Sequence, residues 1–363
     1  MTKPFPSVHY HDYLKLDAVL GSQSPKSEEY GQPAHEETLF IIVHQVYELW
    51  FKQILHEVDS ILSLFSAERV NENDMGLVVA RLSRVIEIQK LLIQQIGVME
   101  TMTPLDFLDF RDMLYPASGF QSQQFRLLEN KLGLKREARL TYNSASYEKS
   151  LKPEQETEIL KSEKQKSLFE CVNSWLERTP FLDYEGFDFW NQYQQTVKTI
   201  FDEDAQVIEN HEFLSEEDKQ RNLNVIKSSV EAFEALFDEE KYNKARQEGS
   251  WKLSYKAIHA ALLIQLYRDQ PALHLPFQLI QSLIDIDEHF TTWRYRHALM
   301  AKRMLGSKIG TGGSSGYDYL RAATEKHRVF NDLFQLTTFF IPRQRLPKMP
   351  ADVEKKLSFQ FTS

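Results

Sequence analysis

Apolar positions along this chain recur with a helical period. Between residues 283 and 305, Ile286, Phe290, Trp293, His297, Met300 and Met304 follow one another at steps of four and three. That spacing marks one face of an α-helix, so a histidine sits within an apolar, aromatic stripe. Gly306 ends the pattern, and a glycine-rich segment from Gly310 to Gly316 follows, where backbone can approach a ligand closely. Without Gly-Lys-Ser/Thr, it is not a phosphate-binding loop.

A second strong helix is predicted from Glu36 to about Phe65. Phe40, His44, Tyr47, Phe51, Ile54 and Val58 form one stripe, and Ile42, Val46 and Leu49 another. Apolar groups covering most of the circumference predict a central, buried helix. A third runs from Leu77 to Met99. Thr103-Pro104-Leu105-Asp106 reads as a helix start: a capping threonine, proline at the first position, an acid in the first turn. The helix it opens puts Phe107 and Arg111 on one face, and Pro116 ends it. Helical patterns continue at 120–132, 167–178, 187–202, 255–267 and 329–340, with 134–166 read as exposed connections plus a helix start. Residues 203–250 are helical and highly charged, with few apolar anchors. No stretch alternates as a strand. The expectation is therefore an all-α, bundle-like fold in one domain spanning 1–363, with an N-terminal arm (1–35) and a charged peripheral helical region at about 134–250.

Composition narrows the function. Hydrophobic residues make up 42% of the 363, enough for a substantial core. A net charge of −9, without a basic patch interleaved with aromatics, argues against nucleic acid. Cys171 stands alone, which excludes an intrachain disulfide or a cysteine-based metal site. No apolar run reaches membrane-spanning length, and a cytoplasmic location is expected. A di-metal carboxylate bundle needs Glu-x-x-His on apolar faces, and a zinc hydrolase needs His-Glu-x-x-His; neither is found. A haem protein needs one histidine from a helix, an apolar aromatic pocket and an open opposite side. His297 and His44 meet that need, while a non-enzymatic helical scaffold remains the competing reading.

Five segments together resemble one family, the tryptophan 2,3-dioxygenases: 39–57 (LFIIVHQVYELWFKQILHE), 100–133 (ETMTPLDFLDFRDMLYPASGFQSQQFRLLENKLG), 175–180 (WLERTP), 277–287 (FQLIQSLIDID) and 293–320 (WRYRHALMAKRMLGSKIGTGGSSGYDYL). The resemblance implies an all-α homotetramer using haem b, ferrous when active. It would cleave the indole C2–C3 bond of L-tryptophan with O2 to give N-formyl-L-kynurenine, the first step of the kynurenine pathway. It implies His297 as the iron ligand, beside Trp293, and His44 on the opposite side near the indole N–H, with Phe40 and Phe107 against the ring. Arg111 would pair with the substrate carboxylate, Thr311 would bind the amino-acid end, and Ser118 would lie near a haem propionate or the substrate. Tyr10 and Tyr13 match arm tyrosines that reach a neighbouring subunit's site. Two departures stand out. The arm reads Tyr10-His11-Asp12-Tyr13-Leu14 where the family usually has Tyr-Gly-x-Tyr-Leu, and Phe107 replaces a tyrosine found in some members. The alternative is a related haem-dependent aromatic oxygenase inserting one oxygen atom into a tryptophan derivative.

Overall fold

A computed structural model describes residues 5–66, 70–140, 151–179, 189–306 and 316–358. Among them the chain is helical, with no strand. Three long helices carry the architecture: His35–Phe65, Met75–Met99 and Pro271–Leu305. Each forms where its apolar period predicts, and the last begins a dozen residues before residue 283. Pro271 takes its first position, where the missing N–H costs nothing, and Gly306 ends it at a φ of +62°.

Burial is uneven along the first long helix. Its C-terminal half is sealed: Ile54, Val58 and Ile61 are fully buried, each worth about 1.5–3 kcal/mol of transfer free energy. In its N-terminal half only Val43 and Glu37 are buried, and His44 is exposed. Side chains tie the three helices together. The Tyr47 hydroxyl donates to the Leu92 carbonyl (2.9 Å), Gln95 to the Val43 carbonyl (2.9 Å) and buried Gln89 to the Ile286 carbonyl (3.1 Å).

The start at Thr103 forms as expected. The Asp106 carboxylate accepts from the Thr103 N–H (2.9 Å), and the Asp106 N–H donates to the Thr103 hydroxyl (3.3 Å), a reciprocal cap on the helix Pro104–Arg111. The stretch predicted as helix over 120–132 instead breaks at Ser122. A 3₁₀ turn, Gly119–Gln121, precedes the helix Gln123–Leu132, because Ser118 and Ser122 each cap the element after them. Gly133 then turns at φ +125°, and an added Cβ would meet the Phe169 Cβ at 2.6 Å.

The N-terminal arm is more ordered than a loose tail. It forms short helices at Tyr10–Leu14, Leu16–Leu20 and Lys26–Glu29. Glu37, on the first turn of the His44 helix, fixes its end by accepting the N–H groups of Lys26 and Ser27, both at 2.8 Å.

The region 134–250 divides. Phe189–Glu209 and Glu216–Phe237 pack on each other and are largely exposed, as their charge predicts. The helix Leu168–Leu176 instead contributes five buried residues, including Trp175, to the main core. Arg139 is buried too. Sequence composition around them is polar, but these positions face inward. Trp190 and Phe237 close over His259, with Tyr193 packed on Phe237, holding the peripheral helices to the core.

Candidate active site

The opening between the long helices is floored by a small second core: Val43, Met99, Met102, Phe110 and Met304. Phe40 lies above it. Its ring centre is 5.7 Å from Phe107, 5.6 Å from Phe110 and 4.2 Å from His44, and Phe107 meets Phe110 edge-on at 5.4 Å. Two phenyl rings and an imidazole, backed by fully buried Phe110, thus form a surface suited to a flat aromatic ligand.

His44 is anchored by its own helix. Its Nδ1 lies 2.7 Å from the Phe40 carbonyl, four residues back. A carbonyl only accepts, so Nδ1 carries the proton and Nε2 presents a lone pair. Burial lowers the pKa of this histidine from its ordinary value, against the opposing pull of the Phe40 carbonyl and Glu48, so the ring is neutral near pH 7. Its edge is nevertheless open to solvent on the cleft side.

His297 stands on the helix whose Met300 and Met304 pack into the same cluster as Phe40 and Phe107. Burial pushes its pKa down to about 4, so its ring is neutral near pH 7. Among the described residues the His297 side chain makes no hydrogen bond. A neutral imidazole then keeps a lone pair without a partner, in a half-buried position. Trp293 stacks on it at 5.6 Å and 15°, and is itself wedged by Phe125 (5.3 Å), Tyr47 (6.0 Å) and Phe51 (6.2 Å). Burial raises the Tyr47 phenol to about 12, so it stays protonated.

Arg111 ends the capped helix one turn beyond Phe107, with its side chain 16% exposed. Its ion pair with Asp112 is loose at 3.7 Å, and that carboxylate is 92% exposed; such a contact is worth little. Ser118 is half-buried and accepts from the Phe120 N–H (3.3 Å), leaving its own hydroxyl proton to donate. Phe120 in turn meets Tyr319 at 5.2 Å, which brings the helix Gly316–Lys326 to this turn.

Of the residues expected from sequence, Phe40, His44, Phe107, Arg111, Ser118, Trp293 and His297 lie on the elements around this opening. Tyr10 and Tyr13 do not: they are 71% and 74% exposed on the arm. Thr311 lies outside the described residues. Phe110 was not anticipated, although its place one turn after Phe107 on a capped helix was a usable signal. A separate cavity of about 240 Å³ sits on another face of the His297 helix, lined by Ile284, Asp287, Thr291 and Phe330 among others. It shares no lining residue with this opening.

Comparison with known proteins is decisive here. The family model described as tryptophan 2,3-dioxygenase matches residues 4–340. The chain belongs to the tryptophan 2,3-dioxygenase family. A tryptophan 2,3-dioxygenase of Bdellovibrio bacteriovorus is 57% identical over 357 residues, covering 98% of this chain and 99% of the relative. Members from Dictyostelium discoideum and Rattus norvegicus are 46% and 45% identical, covering 98% and 96% of this chain and 89% and 86% of theirs. Similarity to tryptophan 2,3-dioxygenases therefore spans the arm, the long helices and the peripheral region alike.

Proposed function

We propose that the chain is a haem-dependent dioxygenase that cleaves the indole C2–C3 bond of L-tryptophan with O2 to give N-formyl-L-kynurenine. One observation carries the reading. In a chain matched to this family nearly end to end, His297 has a neutral ring with no side-chain hydrogen bond, on a helix whose Met300 and Met304 pack into the same cluster as Phe40 and Phe107 beside His44.

The residues present fit haem b. His297 offers an unshared lone pair for the iron, and the Trp293 stack fixes the plane of its ring. The Ser118 hydroxyl has a proton to give to a propionate or to the substrate. Bound ferrous haem would supply the oxygen chemistry.

The chain's own groups orient the substrate. Arg111 holds the carboxylate by a charge-assisted pair, outcompeting the loose contact to exposed Asp112. Phe40 and Phe107, backed by fully buried Phe110, grip the indole. His44 accepts the indole N–H at Nε2, the nitrogen left bare by its bond to Phe40. As a neutral ring of lowered pKa it is a poor base towards the very weakly acidic indole nitrogen, so it positions the ring without removing its proton. In the net reaction the C2–C3 bond breaks and each carbon gains one oxygen of O2. Thr311 is assigned to the amino-acid end of the substrate.

The assembly is proposed as a homotetramer of single-domain subunits. Ile42 and Leu49, and likewise Leu91 and Val98, are exposed at seven-residue spacing on the long helices, as a subunit contact requires. Exposed Tyr10 and Tyr13 are then free to reach a neighbouring subunit's site. A free, buried Cys171 suits the reducing cytoplasm.

Turnover under ¹⁸O2 tests the reaction. Both labelled atoms should appear in N-formylkynurenine. A single labelled atom in the product would move the chain to the one-oxygen alternative, which family membership does not favour.

A further inference from the structure

Behind the Trp293–His297 stack lies a buried charge cluster that the catalytic reading leaves without a task. Its centre is Glu129 on the helix Gln123–Leu132, whose carboxylate is 4% exposed. One oxygen accepts from Arg126 (3.0 Å) and from Arg139, and the other from Arg294 (2.9 Å). His327 Nδ1 lies 3.7 Å from that second oxygen. The Leu140 N–H donates to His327 Nε2 (3.2 Å), so the imidazole proton sits on Nδ1 and points at Glu129. Arg294 also donates to the His327 carbonyl (3.1 Å). Facing guanidiniums hold the acid well below the usual carboxylate range in spite of burial, so it stays ionised.

The cluster reaches the site through a chain of ring contacts. Arg294 follows Trp293 in sequence and stands three residues before His297, about one helical turn. The Arg126 and Arg294 guanidiniums each lie 5.9 Å from the Phe125 ring, which packs on Trp293 at 5.3 Å. Stability alone does not account for it. A buried ionic cluster gains little over apolar residues of equal volume, whereas removing one member leaves the others uncompensated. What the arrangement does supply is a fixed field: three guanidiniums and one carboxylate, held on the His297 side of the opening.

We propose that Glu129 is a positioning residue that holds Arg126, Arg139 and Arg294 and, by its own charge, sets the balance between ferric and ferrous iron at His297. This rests on the haem reading above. A unit charge on the order of 10 Å from a buried redox centre changes the oxidised-to-reduced ratio about tenfold at an effective dielectric constant of ~20. Removing a negative charge favours the less positive ferrous state, and removing a positive one favours ferric.

Spectroelectrochemical titration of the holoenzyme tests this with Glu129→Gln, Arg139→Gln and the double variant. At the wild-type midpoint potential, Glu129→Gln should be about nine-tenths ferrous. Arg139→Gln should move to mainly ferric, and the double variant, neutral in its net change, should return towards half. A cluster that merely braces the fold would loosen in both single variants and shift them the same way. Shifts of equal sign, or none, with the Soret band retained, overturn the proposal. Should Glu129→Gln fail to fold, the sign of the Arg139→Gln shift decides: a fall in midpoint supports it, and a rise or no change overturns it. A wild-type protein without a Soret band overturns the haem reading itself, and this inference with it.

Discussion

Replacing His44 with alanine separates two jobs that a histidine can do beside an indole. The Nδ1–H bond to the Phe40 carbonyl, 2.7 Å long, commits the ring to one tautomer and leaves Nε2 as an acceptor. Loss of one such hydrogen bond to the substrate costs about 0.5–1.5 kcal/mol net, or roughly a 2- to 13-fold drop in rate if the bond matters only for positioning. An obligatory general base would cost about 10²–10⁴-fold instead. The assay is steady-state formation of N-formylkynurenine by His44→Ala, with haem content and tryptophan binding measured on the same preparation. Turnover should fall modestly with haem unchanged. 1-Methyltryptophan, which has no N–H and needs more room, should react better than with wild type. Intact haem and bound tryptophan with no detectable product would refute the positioning argument.

Two further variants probe other parts of the account. Arg111→Leu removes a charge-assisted pair worth about 1.5–3 kcal/mol, so tryptophan binding should weaken roughly 10- to 100-fold by equilibrium titration; indole-3-propionate should suffer likewise and tryptamine should not. His259 is buried with its Nε2 unpaired among Trp190, Phe237 and Tyr255, and burial lowers its pKa to about 4. The unfolded chain binds that proton first, from near pH 6.5, so the stability is present above that pH and lost as pH falls towards 4. At pH 5 this one residue should cost about 2 kcal/mol, and His259→Phe should flatten the decline of denaturant-measured stability between pH 7 and pH 5 by that amount.

Local pattern made the helices legible, and in the C-terminal half of the first long helix Phe51, Ile54 and Val58 turn inward as their stripe predicts; in its N-terminal half buried Val43 lies on neither stripe, while His44, Ile42 and Leu49 are exposed. Thr103 and Asp106 marked a helix start because a cap is a local bond. Pattern did not reveal the break at Ser122, where two serine caps outweigh the apolar period across it. Nor did it reveal Arg139 or the helix Leu168–Leu176 as core, because their neighbours in sequence are charged and only packing turns them inward. The Glu129 cluster was invisible for the same reason. Its members run from Arg126 to His327, and a guanidinium that pairs with a carboxylate in space leaves no periodic trace.

The most direct test of the central claim is the haem content and absorption spectrum of His297→Ala, measured with and without added imidazole. Wild type should carry haem at about one per chain. The variant should lose most of it or lose turnover, and imidazole, which can fill the space left by the side chain and bind the iron in its place, should restore part of the wild-type spectrum. A variant with wild-type haem content, spectrum and turnover would contradict the account, because His297 would then not be the residue that holds the iron.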